Sequence, residues 1–456
     1  MIDTLVRLAA AVFCLLAICV PVSADGWKAG LAKAVITPTQ PVWLSGYSGR
    51  DHLPDGKVHD LFAKAAALES EDGTRLVIVT CDLGSMDPAI TAAVSREVDQ
   101  QYGLPRESLV LNVSHTHCAP EIAAERNVFH ALAPEEDAKL SDYIRDELQP
   151  KLVQVIGDAL GDLQPATLSL GSASAAFAKN RRFPTPDGYV NQPFADGVTD
   201  HDVPVMRSAG EDGRLRGVLF GYACHNTTLA FYKFCGDYAG FAQAEVEAAH
   251  PGAVALFVMG CGGDQNPYPR HGERGLEYCR QHGKELADAV ERALATDLIG
   301  VHPSLRLASE VVTLELEPLP PIEQLEVQAA GAEGHAKRKA RYLLDQRQQH
   351  GRIELTQRCP LQAARFGDEL LFLFFSGETV VDYSRKSKAE FAGPMVWVAG
   401  YCNDVFAYLP SLRVLQEGGY EGRTGIVHQL TPTPFATSVE DRVMGGMREL
   451  VERVSE

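Results

Sequence analysis

The chain has 456 residues, of which 45% are hydrophobic, and a formal net charge of -18 at pH 7. The hydrophobic content is sufficient for a large buried core, and the negative charge excludes a protein that binds nucleic acid through a basic surface. The same charge gives no attraction to an anionic membrane.

The first segment has the pattern of an export signal. Arg7 precedes an apolar run over residues 8–22, and small residues follow it up to residue 24. The run is too short for a membrane span, so we expect a cleaved signal peptide over residues 1–24, with an uncleaved N-terminal anchor as the alternative. We therefore expect a secreted or periplasmic protein with one catalytic domain over residues 25–456.

Three stretches of the chain share one pattern, in which an apolar strand, a helix and a second apolar strand follow one another. The predicted strand, helix and strand cover residues 74–80, 87–102 and 108–113, then 217–222, 241–250 and 253–259, then 369–375, 381–391 and 395–399. Continuous apolar strands separated by helices indicate buried and at least partly parallel strands. The sequence therefore predicts an α/β fold with mixed sheets and flanking helices.

Between these units the chain changes character. Residues 163–177 and 305–316 alternate between apolar and polar side chains, which predicts half-exposed strands. A charged stretch follows over residues 322–352. Its basic residues at 337–341 could form a binding patch, but a solvated helix face is the expected interpretation.

Polar clusters stand at the ends of the predicted strands. In sheets with parallel strands, ligands bind at the carboxyl ends of the strands. We therefore expect these clusters to meet in one composite site. The residues that carry them are Asp82, His115, His117, His225, Asp264, Asn266 and Glu378.

A His-x-His motif at His115 and His117 is the most informative stretch of the chain. Residues two apart on a strand face one side of the sheet, so we expect both imidazoles to point in one direction, as a shared metal requires. Neutral imidazole is the commonest metal ligand among side chains. Zinc takes three or four nitrogen and oxygen ligands, polarises a carbonyl and activates water. Further candidate ligands are His225, Glu378, Asp82, Asp237 and Asp264.

The motifs of other hydrolases and of nucleotide-binding proteins are missing. The sequence contains no Gly-x-Ser-x-Gly elbow, no His-Glu-x-x-His helix and no Walker loop. A glycine-rich run over residues 260–263 lacks the Lys-Ser/Thr that completes a phosphate-binding loop, so it is interpreted as a close turn of the backbone.

Eight cysteines lie beyond the predicted signal peptide, an even number that permits disulfides in an exported protein. Five of them stand beside the site motifs, where small core residues or disulfide partners are favoured over soft metal ligands. These five are Cys81, Cys118, Cys224, Cys261 and Cys402.

Taken together, the motifs resemble those of the neutral, non-lysosomal ceramidase family in its catalytic N-terminal domain. Ser-His-Thr-His-Cys-Ala-Pro at residues 114–120 is similar to the family's T-H-T-H-S-G-P, and Ser-Gly-Glu-Thr at 376–379 is similar to its P-G-E-x-T. The order and spacing of all the motifs are more specific than any one of them. The other similar segments are residues 29–38, 45–47, 81–84, 180–181, 200–207, 224–227, 236–240, 400–408 and 420–422.

The resemblance implies the fold, the cofactor and most of the site. It implies an exported zinc hydrolase that cleaves the amide bond of an N-acylated small molecule or lipid. The zinc ligands that it implies are His115, His225, Glu378 and Tyr408. His117 and Arg181 would then contact the substrate or the reacting centre.

One departure from the family pattern concerns the nucleophile. The family element G-D-M-S-P carries its proposed catalytic serine, and this chain has Gly-Asp-Gln-Asn-Pro at residues 263–267. Asn266 takes the place of that serine; an amide cannot attack a carbonyl, but it can donate a hydrogen bond to an oxyanion. We therefore expect water activated by zinc as the nucleophile, with Asn266 and Arg181 stabilising the oxyanion. His117 would transfer the proton, and Asp264 completes the expected catalytic set.

The departure also bears on the substrate and on the class of protein. Together with the expected lack of the family's C-terminal immunoglobulin-like domain, it argues against long-chain ceramide as the substrate. One alternative is a catalytically silent zinc-containing binding protein of the same fold. Another is a metal-dependent phosphoesterase, in which Asp82, Asp237, Asp264, Asn266 and the histidines would surround two metals.

Overall fold

The structure, a computed structural model, describes residues 26–456 with the exception of residue 124. The predicted signal peptide lies outside the described residues. The strands are β1 (Trp27–Val35), β2 (Phe62–Glu69), β3 (Arg75–Cys81), β4 (Leu109–Val113), β5 (Gln164–Ser174), β6 (Ala178–Thr185), β7 (Gly188–Phe194), β8 (Asp202–Gly210), β9 (Leu215–Tyr222), β10 (Val254–Met259), β11 (Gln265–Pro267), β12 (Ile299–Gly300), β13 (Leu305–Glu315), β14 (Thr356–Phe366), β15 (Leu370–Phe375), β16 (Glu378–Thr379), β17 (Met395–Ala399) and β18 (Tyr408–Leu409).

The α-helices vary in length from one turn to five or six. They are α1 (Pro88–Tyr102), α2 (Arg126–Phe129), α3 (Pro134–Asp142), α4 (Gln149–Gly161), α5 (Asp237–Ala249), α6 (Gly275–Leu294), α7 (Ile322–Ala330), α8 (His335–His350), α9 (Val381–Glu390), α10 (Leu412–Glu417), α11 (Gly419–Gly422) and α12 (Val439–Ser455). A π-helical segment, Tyr143–Leu148, joins α3 to α4. None of the described helices has the length and apolar character that a membrane span requires.

Two large mixed sheets form the centre of the molecule. The first has the strand order β10-β9-β8-β5-β1-β2-β3-β4, with β12 paired to β5, and the second has the order β13-β14-β15-β17. The parallel pairs are β3 with β4, β9 with β10, and β15 with β17. Each pair is joined through one helix, so the three predicted strand-helix-strand units and the mixed α/β fold are confirmed.

The two sheets pack face to face and are covered by helices on their outer faces. Apolar side chains of both sheets form one buried cluster, in which Phe372 stacks on Trp397 with ring centroids 4.5 Å apart. Helices α4, α5 and α6 cover the larger sheet, and α12 covers the smaller one. Burying one such aromatic side chain contributes about 2–3 kcal/mol, so these layers supply the main stabilisation of the strand ends that carry the site.

The charged stretch after residue 321 forms α7 and α8, but one of its basic residues is not solvated. Lys339 is buried, and its Nζ donates to the carbonyl of Thr431 at 2.6 Å and to the carbonyl of Ile426. Burial lowers the pKa of Lys339 to about 7. The expectation of a simple solvated face is therefore wrong at this position, because Lys339 fastens α8 to the segment around residues 424–431.

All eight cysteines of the described chain are buried free thiols. The choice that the sequence left open, between core residues and disulfide partners, is therefore settled in favour of core residues. Their burial keeps the thiols away from solvent, and burial raises the pKa of Cys118, Cys224 and Cys261 well above the usual range.

Asn112 joins three strand ends at the centre of the fold, and its replacement tests this arrangement. Its Nδ2 donates to the carbonyl of Gly400 at 2.7 Å, and its Oδ1 accepts from the amide of Met259 at 2.8 Å. We expect Asn112→Ala to lower the free energy of unfolding by about 2 kcal/mol, because these buried groups lose their partner. Chemical denaturation measures the loss. Gln154→Ala, on the exposed face of α4, is the control and should leave the midpoint unchanged; equal midpoints for both variants would contradict the assignment.

Candidate metal centre

His115 is placed by a backbone conformation that the sequence did not reveal. Strand β4 ends at Val113, and His115 follows with a left-handed φ of 62°. The prediction that His115 and His117 alternate on a strand is therefore wrong, because both residues lie in the turn after it. A left-handed backbone is costly for a residue with a Cβ and is concentrated at functional sites. The Nδ1 of His115 lies 2.5 Å from the carbonyl oxygen of Gly84.

His225 follows β9 and is held in the same manner. Its backbone amide donates to the carbonyl of Gln265 at 2.9 Å. Its Nδ1 lies 2.6 Å from the carbonyl oxygen of Gly262. Because each Nδ1 faces a carbonyl oxygen, it carries the proton, and the Nε2 atoms of His225 and His115 are left as electron-pair acceptors.

Glu378 completes a cluster of three potential metal ligands, two imidazoles and one carboxylate. Its Oε2 lies 3.2 Å from the Nε2 of His115 and 3.3 Å from the Nε2 of His225. The ligand atoms of the three residues all lie within 4.8 Å of one another, and Oε2 receives no hydrogen bond. Three electron-pair acceptors thus face one another without a proton between them, which is an arrangement that a metal cation stabilises.

The electrostatics of the cluster agree with this geometry. Burial and the guanidinium of Arg181 lower the pKa of His225 to about 3, so its imidazole is neutral. Burial alone would raise the pKa of Glu378, but His115 and His225 hold it well below its usual range. A neutral His225 and an ionised Glu378 are the protonation states in which these two side chains bind a metal.

Tyr408 lies beside Glu378 because two short strands pair in parallel. Glu378 on β16 is in register with Tyr408 on β18. The hydroxyl oxygen of Tyr408 accepts a hydrogen bond from the Arg181 guanidinium at 3.0 Å. Burial, with Glu378 as the next cause, raises the pKa of Tyr408 well above its usual range.

Arg181 connects most of the predicted site residues. Besides Tyr408, its guanidinium lies 3.3 Å from the Nε2 of His225 and donates to the Oδ1 of Asn266 at 3.2 Å. Its Nε donates to Glu421 at 2.6 Å, and this ion pair is buried on both sides. The carboxylate of Glu421 therefore fixes the direction in which Arg181 presents its charge.

The ring of His117 packs directly against the ring of His115. Its Nε2 lies 3.2 Å from the Nε2 of His115, and its buried Nδ1 has no hydrogen-bond partner. Gly46, with φ +86°, leaves the space for this ring, since a Cβ there would lie 2.2 Å from the ring of His117. The ring of Tyr47 contacts the ring of His117 in an edge-to-face arrangement, with the two ring centroids 4.7 Å apart.

Residues 262–267 connect the segments of the metal centre through hydrogen bonds. The amide of Gly263 donates to the carbonyl of Thr379 at 2.9 Å, and the carbonyl of Asp264 accepts from the amide of Arg181 at 2.8 Å. The Asp264 carboxylate accepts from the backbone of Val381 at 2.8 Å and from Asn180 at 3.0 Å. The structure therefore gives the Asp264 side chain contacts to the scaffold, and burial raises its pKa to about 6.

Asn266 is fully buried with its amide orientation defined by its neighbours. Its Oδ1 accepts from Arg181 and, at 3.4 Å, from the hydroxyl of Thr227, while its Nδ2 lies 3.4 Å from the Oδ1 of Asn191. An oxygen must face the guanidinium, which has only donors, so the NH2 group of Asn266 points away from Arg181.

Two predicted candidates lie apart from the three-residue cluster. The Asp82 carboxylate accepts from the backbone of Phe62 at 3.0 Å. The Asp237 carboxylate accepts from the backbone amides of Leu229 at 2.9 Å and Tyr238 at 2.7 Å. Backbone donors thus satisfy both carboxylates, and the cluster of potential metal ligands in the described chain contains neither of them.

A cavity of about 330 Å³ opens onto the cluster. His115, His117, Glu378 and Tyr408 lie on its wall. Sequence reasoning assigned no role to several other wall residues, since most come from loops without periodic pattern. Asp404, on the wall, and Glu421, behind it, lay in segments that the resemblance had marked, but neither received a role. The missed wall residues include Asp87, Glu121, His130, His335, Asp404 and His428.

The fold and the site define a mixed α/β protein with a buried candidate metal centre at the carboxyl ends of its strands. Comparisons with known proteins refine this class. The profile of the neutral/alkaline non-lysosomal ceramidase N-terminal domain matches residues 27–269, just over half of the chain. The chain therefore belongs to this family, which confirms the resemblance found in the sequence.

Similar proteins support the family and the fold. The neutral ceramidases of Drosophila pseudoobscura pseudoobscura and Drosophila melanogaster are each 24% identical to the chain over 211 residues, 44% of this chain and 29% of theirs. The chain thus spans under a third of the length of these relatives. The crystal structure of neutral ceramidase from Pseudomonas aeruginosa superposes with a TM-score of 0.72 at 22% identity, covering 94% of this chain and 74% of that one. The structure described as a ceramidase complexed with C2 superposes with a TM-score of 0.71 at 20% identity, covering 93% of this chain and 76% of that one.

The buried pair of Arg181 and Glu421 yields a prediction about stability. We expect Glu421→Gln to lower the free energy of unfolding by about 3–5 kcal/mol, because Arg181 and the neighbouring Arg182 lose the carboxylate that compensates their burial. Denaturant titration measures the change. The matched control is Glu277→Gln, which removes an exposed ion pair and should leave the midpoint in place. A Glu421→Gln variant as stable as this control would rule out a stabilising role for the buried pair.

Proposed function

We propose that the protein is an exported, zinc-dependent hydrolase that cleaves the amide bond of an N-acylated small molecule or lipid. The observation that carries the proposal is the convergence of His115, His225 and Glu378 on one point, with no donor for Oε2. Membership of the ceramidase family supports amide hydrolysis, and the predicted signal peptide supports export.

The residues present fit zinc. Two neutral imidazoles and one carboxylate are ligands that zinc binds in catalytic sites, and each imidazole is oriented by a backbone carbonyl, as zinc-binding histidines usually are. Tyr408, adjacent to Glu378, would supply a fourth ligand through its phenolic oxygen. When bound, zinc supplies Lewis acidity to the amide carbonyl and to water in the site.

The side chains around the cluster have separate tasks in this proposal. Arg181, fixed by Glu421, directs its positive charge at the oxygen on which negative charge develops. His117 lies on the pocket wall and transfers the proton to the leaving amine. Asp264 is a positioning residue, since its contacts hold the segments that carry Arg181 and Glu378.

Asn266 bears on both the nucleophile and the substrate. Its buried amide cannot form an acyl intermediate, so the proposal assigns the attack to water, with the NH2 group of Asn266 as an additional donor for the substrate oxygen. A substrate other than long-chain ceramide follows from the same departure. Asn266 also supports a second candidate, a catalytically silent zinc protein, because it lacks a nucleophile and its Oδ1 is engaged by Arg181 and Thr227.

Metal analysis tests the zinc centre. We expect the purified protein to contain about one zinc ion per chain and to lose hydrolysis of N-acyl substrates when a chelator removes it. His225→Ala and Glu378→Ala should each lose most of the zinc, because each removes one ligand. His52→Ala, which changes a half-exposed histidine, is the matched control and should keep the metal. Full zinc content in both cluster variants would refute the assignment.

Restoring the family serine separates the enzyme from the silent scaffold. The proposal expects hydrolysis of an N-acyl substrate by the unaltered protein, and Asn266→Ser should then change the rate without creating activity from nothing. If only Asn266→Ser hydrolyses the substrate, while zinc content is equal in both proteins, the silent-scaffold alternative is correct.

A further inference from the structure

Among the described residues, the wall of the pocket in front of the metal centre carries more acidic than basic side chains. Among the described residues that line it there is no lysine or arginine. Burial lowers the pKa of His335 and His428, so these wall residues are neutral at pH 7. A cleft lined by one sign of charge concentrates ligands of the opposite sign. The four carboxylates on the wall are those of Asp87, Glu121, Glu378 and Asp404.

Asp404 differs from the other three because the described residues give its Oδ1 no hydrogen-bond donor. Glu378 faces the histidines of the cluster, and Glu121 lies 3.4 Å from the Nε2 of His130. Asp87 caps α1, accepting from the first turn of the helix at 2.8 Å. By contrast, the side chain of Asp404 is 5% exposed, and its Oδ1 has no hydrogen-bond partner among the described residues. An unpaired buried carboxylate is costly, so its presence in a pocket wall points to a ligand.

The loop of Asp404 is fastened beside Asp87. The amide of Val405 donates to the carbonyl of Met86 at 3.0 Å. The hydroxyl of Thr91, on α1, donates to the carbonyl that precedes Asp404 at 2.5 Å. These two bonds, on either side of Asp404, hold its loop against the start of α1, and both Asp404 and Asp87 lie on the wall of the cavity.

Among the described residues, the charged groups that act on Asp404 are Asp87 and Arg358. Burial, and then the like charge of Asp87, raise the pKa of Asp404 to about 7. From β14 it faces Arg358, which opposes this shift, and the buried thiol of Cys359. A second positive charge at Oδ1 would favour the ionised form of Asp404.

We propose that Asp404 and Asp87 bind a positively charged amino group on the amine half of the substrate, so that the enzyme selects N-acylated diamines or polyamines. The inference rests on the proposed amide hydrolysis and names its substrate class. An ammonium offers three donors, so it satisfies the free Oδ1 with a charge-assisted hydrogen bond and compensates the charge of the ionised Asp404 carboxylate. The cavity of about 330 Å³ has room for a short organic chain between this wall and the metal centre.

The kinetic test compares two substrates of equal length. N-hexanoylputrescine carries the terminal ammonium, and N-hexanoylpentylamine has a methyl group in its place. We expect the zinc-loaded enzyme to favour the charged substrate in kcat/KM by about 10-fold or more, and Asp404→Asn to reduce that ratio at least about 10-fold, mainly through KM of the charged substrate. Asp87→Asn, which keeps a helix cap, should also reduce it. Asp187→Asn, in an exposed turn, makes the same chemical change away from the pocket and should keep the ratio of the unaltered enzyme.

Calorimetric titration distinguishes failure of this inference from failure of the proposed function. If neither amide is hydrolysed, binding of N-hexanoylputrescine is still measurable, and Asp404→Asn should weaken it about 10-fold or more. Affinity should rise between about pH 6 and pH 8, because Asp404 loses its proton in that range. An unchanged affinity in Asp404→Asn would overturn the inference whether or not the protein is an amidase. Displacement of the ligand by equimolar Ca²⁺ would overturn it too, because the wall would then be an inorganic cation site.

Discussion

The mutual approach of three buried electron-pair acceptors is the constraint on which the rest of the site depends. The Nδ1 protons of His115 and His225 point at backbone carbonyls, so the two Nε2 lone pairs and the Glu378 carboxylate face one another. Without a cation between them, such groups repel, and burial removes the water that would otherwise screen them. A bound metal converts this repulsion into stabilisation, and the surrounding structure is organised to keep the three groups in place.

The fold meets this constraint by ending three strand pairs at one place. Strands β4 and β9 deliver the histidines from the larger sheet, and β16 delivers Glu378 from the chain that leaves the smaller sheet. Residues 262–267 then bond to His225, Arg181 and the strand of Glu378, so that a shift of one ligand is resisted by the others. Behind them the buried carboxylate of Glu421 compensates Arg181, which leaves that guanidinium directed toward the centre.

Much of this could be predicted from the sequence, because buried parallel strands and their helices leave strong periodic patterns. The helix predicted over residues 381–391 is α9, and the strand over 395–399 is β17. Features that depend on one dihedral angle or on distant pairing left no such pattern. His115 adopts its left-handed turn after β4 ends, so its partnership with His117 was predicted for the wrong reason.

Two further features of the site, the pairing of Tyr408 with Glu378 and the long-range contacts of its charged residues, could not be predicted from local sequence patterns. Tyr408 reaches Glu378 through strands of only two residues each, which are too short to show alternation, so only the family resemblance suggested it. The contact between Arg181 and Glu421 spans 240 positions, and the missing partner of Asp404 is a property of packing alone.

Zinc K-edge X-ray absorption on the purified protein tests the central claim most directly. The account predicts a shell of nitrogen and oxygen atoms at about 2.0–2.1 Å with imidazole scattering that is lost in Glu378→Ala and His225→Ala. A sulfur shell at about 2.3 Å, from any of the eight free thiols, or a protein that binds no zinc, would contradict it.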